Sequence, residues 1–242
     1  MATNFRLGGY IVVSETVRDA VQAAQNSRPV ALIYNAIGLD VESIKGDRQW
    51  LSETFGIPRE ALVCLAVGRL VWAKGYEDLL EAMRIVIAED TSLYCLVIGE
   101  GELRASLEEK IRENHLGGRV VLAGYRTREV VLSALKASDI FVMPSRQEGT
   151  PIALLEAAAM GVPILASACG GIPEMVSDGE QAILVPPGNP PMLAQGLLRL
   201  TKDPVLRARL GQNAKAHVQQ KFSIQAQVHA TLEMYQKALA NR

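Results

Sequence analysis

The chain has 242 residues but only three cysteines and three histidines, and its aromatics amount to four Phe, two Trp and six Tyr. Three thiols cannot pair completely, and Cys64 and Cys95 stand inside apolar runs, where a reduced cysteine behaves as a small hydrophobe. A reducing, cytosolic compartment is the expectation. The net charge is −1 and no long basic run occurs, so the electrostatic footprint of a nucleic-acid binder is missing. His115, His217 and His229 are too scattered for metal-ligand spacing, no Asp-x-Asp occurs, and no metal site is expected. A Gly-x-Ser-x-Gly elbow and a plausible cysteine nucleophile are also lacking. No stretch reaches about 18 apolar residues without a charge, so no membrane-spanning helix is expected. The start, Met1–Val13, has a single Arg and turns β-like at once, unlike a signal peptide.

What is present is apolar: 49% of the residues are hydrophobic, enough for a core without disulfides or a structural metal. At roughly 100–200 residues per domain, the length fits one large domain, or one domain plus a fragment of another. From about residue 60, short β-branched runs alternate with helical patterns. Strands are expected at Ala61–Val67, Tyr94–Ile98, Val120–Ala123, Ile140–Met143, Pro163–Ala166 and Ala182–Val185. Helices are expected at Tyr76–Ala88, Leu103–Asn114 and Glu129–Ala137, then at Pro191–Thr201, Pro204–Lys221 and Ser223–Ala240. Strands apolar on both faces, alternating with helices, indicate an α/β fold: a Rossmann-like parallel sheet with helices on both faces and a helical C-terminal tail. The first part reads as a β–α–β piece (Tyr10–Ser14, Glu15–Gln25, Val30–Tyr34) followed by a loop, Asn35–Asp47. It is too small for a core of its own, and reads as the trailing edge of a preceding domain or an extra edge on the main sheet.

In an open α/β sheet ligands bind at the carboxyl ends of the strands. Polar and glycine-rich residues collect there: Gly68-Arg69…Lys74-Gly75, Gly99-Glu100-Gly101, Gly124-Tyr125-Arg126 and Pro144–Thr150. The string from Ser145 to Pro163 carries the most weight. Thr150 is expected to cap a helix with Pro151 at its first position, leaving Thr150, Ile152 and Ala153 to offer N–H groups to an anion. Glu156 stands in an otherwise apolar helix, where a carboxylate needs a partner. It suits either ribose hydroxyls of a nucleotide held at the helix start, or a buried Arg or backbone N–H. Arg69 and Lys74 suit a second grip on phosphate, the alternative being a solvated loop. Gly99-Glu100-Gly101-Glu102 is not a dinucleotide fingerprint and the Lys74 loop is not a Walker motif; the glycines read as allowing close backbone approach. Trp72 reads as packed.

In order, these strings resemble the C-terminal, donor-binding domain of GT-B retaining glycosyltransferases of family 4. They run Val67-Gly68-Arg69-Leu70…Lys74-Gly75, Leu96–Gly101, Val121–Tyr125, Ala137–Ser145, Glu148-Gly149-Thr150-Pro151…Glu156-Ala157, Gly161–Ile164, Gly170–Glu174 and Phe222-Ser223. Val12–Glu15 and Ile33–Asp40 are similar to the end of the family's N-terminal domain, with Asn35-Ala36-Ile37-Gly38 as a small departure. The resemblance implies a remnant of the acceptor domain at residues 1–40 and a donor-binding domain at 41–242. It implies that Arg69 and Lys74 bind the donor diphosphate, that Glu148 contacts donor-sugar hydroxyls beside Gly149, Thr150 and Ile152, that Glu156 binds ribose, and that Gly124–Arg126 borders the base. It implies no cofactor and no metal, a nucleotide-diphosphate sugar (UDP, GDP or ADP type) as donor, and a saccharide or lipid-linked acceptor. An N-terminal domain of about 150 residues would supply the acceptor wall, and with it any attachment to a membrane surface. Without that domain or a partner chain, the chain is expected to hold a donor half-site, inactive or nearly so alone. The alternatives are a non-catalytic nucleotide-sugar module, a subunit of a split glycosyltransferase, or the related fold of a sugar-nucleotide epimerase.

Overall fold

Short apolar strands alternating with longer helices build a sheet covered on both sides in the computed structural model, which describes residues 9–24, 28–38, 40–41, 43–89 and 92–240. Residues 1–8, Gln25 and Leu39, to which some of the expectations extend, lie outside the described residues. In chain order the elements are β1 (Tyr10–Val12), α1 (Glu15–Ala24), β2 (Val30–Leu32), α2 (Arg48–Phe55), β3 (Leu62–Val67), a 3-10 turn (Trp72–Lys74), α3 (Tyr76–Glu89) and β4 (Leu93–Ile98). There follow α4 (Arg104–Glu113), β5 (Val120–Gly124), α5 (Arg128–Ala137), β6 (Ile140–Met143), α6 (Ile152–Ala159), β7 (Ile164–Ser167), α7 (Ile172–Met175), β8 (Ala182–Val185), α8 (Pro190–Lys202), α9 (Pro204–Lys221) and α10 (Ile224–Ala240).

The main sheet has six strands in the order β5-β4-β3-β6-β7-β8, all parallel. From β3 the chain winds outward through β4 to β5, then returns to pair β6 with β3 and winds the other way. The winding reverses between β3 and β6, and the loops leaving these two strands diverge there to open a crevice. One apolar cluster, with Leu65, Phe141, Leu155 and Phe222, packs on one face of the sheet. The other, with Leu79, Met83, Leu197 and Leu210, packs on the opposite face. Burial on both faces is why β6 is apolar throughout and β7 is apolar up to its last residue, Ser167. Asp139 aligns the central pair: its carboxylate accepts the Val63 N–H at 2.7 Å and the guanidinium of Arg48.

The structure adds a helix, α2, for which no expectation stood and excludes one of the two readings of the N-terminal piece. Helix α2 occupies a stretch with no strong apolar periodicity, because its ends fix it: Asp47 accepts the Trp50 N–H at 2.9 Å, and Gly56, in the left-handed region at φ 69°, closes the last turn. The N-terminal piece is not an edge of the main sheet. Among the described residues, strands β1 and β2 pair only with each other, parallel, with Tyr10 opposite Val30. Helix α1 buries none of its residues fully. The piece is held through the site loops instead: Glu174 accepts the Glu15 N–H at 2.8 Å and the Tyr34 hydroxyl at 3.1 Å, and Thr150 donates to the Val13 carbonyl at 2.9 Å. The Tyr34 ring also meets Phe222 edge-on at 5.6 Å. Among the described residues no helix is long and apolar enough to cross a membrane.

The glycines after β4 let the loop after β3 lie across them. A Cβ on Gly99 would sit 1.8 Å from the Gly68 carbonyl oxygen. The Leu70 N–H then reaches Glu100 O at 2.9 Å, so Arg69 is carried on backbone pinned to the next strand's loop.

Gly99→Ala should therefore cost about 1–3 kcal/mol in a urea titration, as overpacking does. Gly117→Ala, where an added Cβ meets nothing within 4 Å, should change stability by less than about 1 kcal/mol. Equal losses would contradict the close approach. Burial, then the hydrogen bond to Glu174, pushes the Tyr34 phenol up to about 12. A phenol raised in the folded state favours folding fully below its unfolded pKa, and that contribution is lost as pH rises through the folded value. Tyr34→Phe should thus remove part of the fall in melting temperature between about pH 10 and pH 12, and an unchanged alkaline slope would contradict the assignment.

Candidate active site

Lys74 ends the 3-10 turn after β3, and Glu148 lies in the loop between β6 and α6. They meet across the crevice, Lys74 Nζ to Glu148 Oε1 at 2.5 Å, with the Glu148 side chain only 6% exposed. The Ser145 hydroxyl donates to the same Oε1 at 2.7 Å. A carboxylate this buried requires such donors. Glu148 Oε2 takes no hydrogen bond from a described residue, yet among the described residues the one buried polar side-chain atom left without a partner is Arg48 Nη1. Glu148 Oε2 therefore reaches solvent. Lys74 has three donor protons and can keep Glu148 while offering others to an anion.

Helix α6 starts beside this pair. The expectation that Thr150 caps it is corrected: the helix begins at Ile152, Pro151 occupies the cap position, and no side chain caps it. The Thr150 hydroxyl is taken instead by Val13, 137 residues away in sequence, and the Thr150 carbonyl accepts from Asn35 Nδ2 at 3.0 Å. The first-turn N–H groups at Ile152 and Ala153 are left without a side-chain cap, at the positive end of the helix. Ile152 is half exposed at this end. Gly149 has open space where a Cβ would sit, and its carbonyl accepts the Gly171 N–H at 3.1 Å.

Glu156 follows one turn later, about 6 Å along the axis at 1.5 Å per residue. Its partner is Arg128, the first residue of α5, with Nε at 3.1 Å and Nη2 at 2.9 Å, both on Oε1. The expected alternative of a buried arginine is only half met: the Glu156 side chain is 8% exposed but that of Arg128 is 62% exposed. As with Glu148, Oε2 makes no hydrogen bond to a described residue and is not a buried orphan. Two nearly buried carboxylates thus flank the start of α6, each steadied through one oxygen with the other left open.

Arg69 is exposed and shares a pocket of about 270 Å³ with Gly68, Gly99, Glu100, Tyr125 and Arg126. Gly124 ends β5 above it with φ 74°. Arg126 donates to the Tyr125 carbonyl at 2.9 Å, and the Tyr125 ring is exposed. The structure thus gathers the sequence-selected residues at one edge of the sheet in two groups: Lys74, Glu148, Gly149, Thr150, Ile152 and Glu156 around α6, and Arg69, Gly124 and Arg126 around the pocket after β3, β4 and β5. Trp72 is not packed as expected but half exposed, with the Arg146 guanidinium 5.3 Å from its ring centroid.

Sequence reasoning gave no role to five neighbours. Arg128 and Ser145 hold the two carboxylates. Arg146 and Asp78 form a bidentate pair at 2.9 and 2.7 Å. Cys169 donates to the Ser145 carbonyl at 3.2 Å, and burial, then the nearby Glu148 charge, pushes its thiol up to about 11. No local pattern marks Arg128, Arg146, Asp78 or Cys169, since each acts on a partner distant in sequence, whereas Ser145 acts on Glu148 three residues away. Among the described residues no group of three or more His, Cys, Asp or Glu could hold a metal ion.

Comparison with known proteins gives the family of the chain. Residues 47–217 match the model of the glycosyl transferases group 1 family. Alpha-D-kanosaminyltransferase of Streptomyces kanamyceticus is 32% identical over 74% of this chain and 46% of its own length. D-inositol 3-phosphate glycosyltransferase of Streptomyces bingchenggensis is 31% identical over 87% of this chain and 48% of its own. Among solved structures, sucrose-phosphate synthase from Thermosynechococcus elongatus superposes with a TM-score of 0.83 at 26% identity, covering 96% of this chain and 58% of that one. HepE of Anabaena, solved with UDP and glucose, shares the fold with a TM-score of 0.84 at 23% identity, over 96% of this chain and 64% of that one. The chain spans about half the length of the curated relatives it matches, between 46% and 60% of five of them. The matched segment is more than half of the chain, and the chain is a member of the glycosyl transferases group 1 family.

Proposed function

We propose that this chain is the donor-binding portion of a retaining, family 4 glycosyltransferase that moves a sugar from a nucleotide-diphosphate sugar to a saccharide or lipid-linked acceptor. The observation that carries the reading is the pair of nearly buried carboxylates flanking an uncapped helix start, with Lys74 between the two walls of the crevice. A nucleoside diphosphate offers what each part lacks. Its phosphates accept from the first-turn N–H groups of α6 and from Lys74, with Arg69 as the second cation. Its ribose hydroxyls donate to the open Oε2 of Glu156, while the donor sugar's hydroxyls meet Oε2 of Glu148. Gly149, Thr150 and Ile152 line the diphosphate, and Gly124 and Arg126 border the base. UDP in the HepE structure is consistent with such a donor.

In the transfer step the bond between the anomeric carbon and the diphosphate oxygen breaks, and negative charge grows on the leaving nucleotide. Lys74, Arg69 and the α6 N-terminus are aimed at that charge in advance, which lowers the barrier without reorganisation at the moment of reaction. These cations and the helix end fill the place that a divalent metal would take. The acceptor and the second wall of the cleft are proposed to come from a further domain or partner chain that docks beside residues 10–35, whose contacts to Thr150 and Glu174 join the two sides. The chain alone would then bind donor without turning it over.

Calorimetry with UDP, GDP and ADP should give saturable binding of at least one. Lys74→Ala and Glu156→Ala should each weaken it about 10-fold or more, the scale of a hydrogen bond to a charged group. No binding to any of the three by the folded chain would contradict the proposal. Repeating the titration in EDTA should leave the affinity unchanged; a large loss would show that a metal carries the diphosphate contact.

A further inference from the structure

Lys74 and Glu148 are the two groups that close the crevice, and neither belongs to a regular element long enough to fix it. Lys74 ends a turn of three residues, and Glu148 sits in the eight-residue loop between β6 and α6. Something must hold the turn against the loop. Backbone does part of it. The Arg146 and Gln147 N–H groups both donate to Ala73 O, at 2.8 and 3.2 Å. Gly75, in the left-handed region at φ 64°, lets the turn close on Pro144, where a Cβ would lie 2.0 Å from the Pro144 carbonyl oxygen.

The side-chain part is Asp78 with Arg146. Asp78 stands in the first turn of α3, directly after the Lys74 turn, and is buried. Arg146 lies in the loop, two residues before Glu148. Its Nε reaches Asp78 Oδ2 at 2.9 Å and its Nη2 reaches Oδ1 at 2.7 Å. The Trp72 ring lies 5.3 Å from the guanidinium carbon, and Glu77 Oε2 stands 3.7 Å from Nη1. A planar fork held bidentately by a carboxylate and set over an indole has little orientational freedom. It joins the backbone on either side of the crevice at one point.

We propose that Asp78 and Arg146 are a positioning pair that sets the approach of Lys74 to Glu148 and so tunes the grip on the donor diphosphate. The pair touches no donor atom; it acts through the loop and turn that carry Lys74 and Glu148. The proposal rests on the donor-site reading above. A purely structural ion pair would contribute to folding alone, and its loss would lower every ligand's affinity alike or none.

The test uses the whole chain, with the dissociation constants of UDP, GDP and ADP and of UMP, GMP and AMP measured by calorimetry and thermal unfolding measured alongside. The proteins are the native sequence, Asp78→Asn, Arg146→Lys, Lys74→Ala and the double variant Lys74→Ala/Asp78→Asn. For whichever diphosphate the native chain binds, Asp78→Asn should weaken binding about 5–10-fold, a coupling of ordinary size for residues in one network. The ratio of diphosphate to monophosphate affinity should shift in the same direction as in Lys74→Ala. Without Lys74 there is nothing left to position, so the double variant should bind as Lys74→Ala does. Arg146→Lys keeps the charge but loses the fork, and should repeat the effect; it carries the same comparison if Asp78→Asn does not fold. Equal losses for mono- and diphosphate, additive losses in the double variant, or unchanged binding in Asp78→Asn would overturn the positioning role while leaving the donor site intact. A native chain that binds none of the three diphosphates would overturn the donor site, and the positioning role with it.

Discussion

The ion pair between Lys74 and Glu148 spans the place where the sheet reverses its winding. Strands β3 and β6 are neighbours in the sheet but 76 residues apart where Asp139 meets Val63. Their loops diverge because the following helices leave on opposite faces. A crevice made this way is open by construction, and only contacts between the two loops define its width. The Lys74–Glu148 contact does so at the functional level, and the packing of Gly75 on Pro144 does so for the backbone. The chemistry proposed for donor binding and the geometry of the fold therefore meet in the same few residues.

The site also organises what lies beyond the sheet. Thr150 and Glu174 belong to loops at the carboxyl edge, yet their side chains hold residues 13, 15 and 34 of the N-terminal piece. The glycines at 170 and 171 stack against the backbone of Glu148 and Gly149, so the loop after β7 buttresses the same loop from behind. Displacement of the N-terminal piece would be felt first at the start of α6. In a larger glycosyltransferase this arrangement would couple the placement of a second domain to the donor pocket through two side chains.

Much of this architecture was legible in the sequence, and the reasons for the failures are specific. Strand β6 at Ile140–Met143 and β8 at Ala182–Val185 were readable to the residue because burial on both faces leaves an unbroken apolar run. Helix α2 was not, because a short, half-exposed helix with one fully buried side chain, Leu51, has little periodicity to read; its evidence lies in Asp47 and Gly56, which also suit a loop. Thr150 looked like a cap because local spacing allowed it, and its hydroxyl was claimed by a carbonyl far away in sequence. Glu156 announced itself as an anomaly, but nothing local named Arg128 as its partner. Asp78 and Arg146 each look like an ordinary surface charge until the fold brings them together. What local pattern recovers is the placement of groups at the sheet edge; which of them pair is decided by topology.

The central claim is that a nucleoside diphosphate sits between Lys74 and the start of α6. A crystal structure of the chain grown with saturating UDP, GDP or ADP tests it most directly. The account predicts phosphate oxygens about 3 Å from Lys74 Nζ and from the Ile152 or Ala153 nitrogen, with ribose hydroxyls against Glu156. A nucleotide bound elsewhere on the sheet, with Lys74 still engaged only by Glu148, would contradict it.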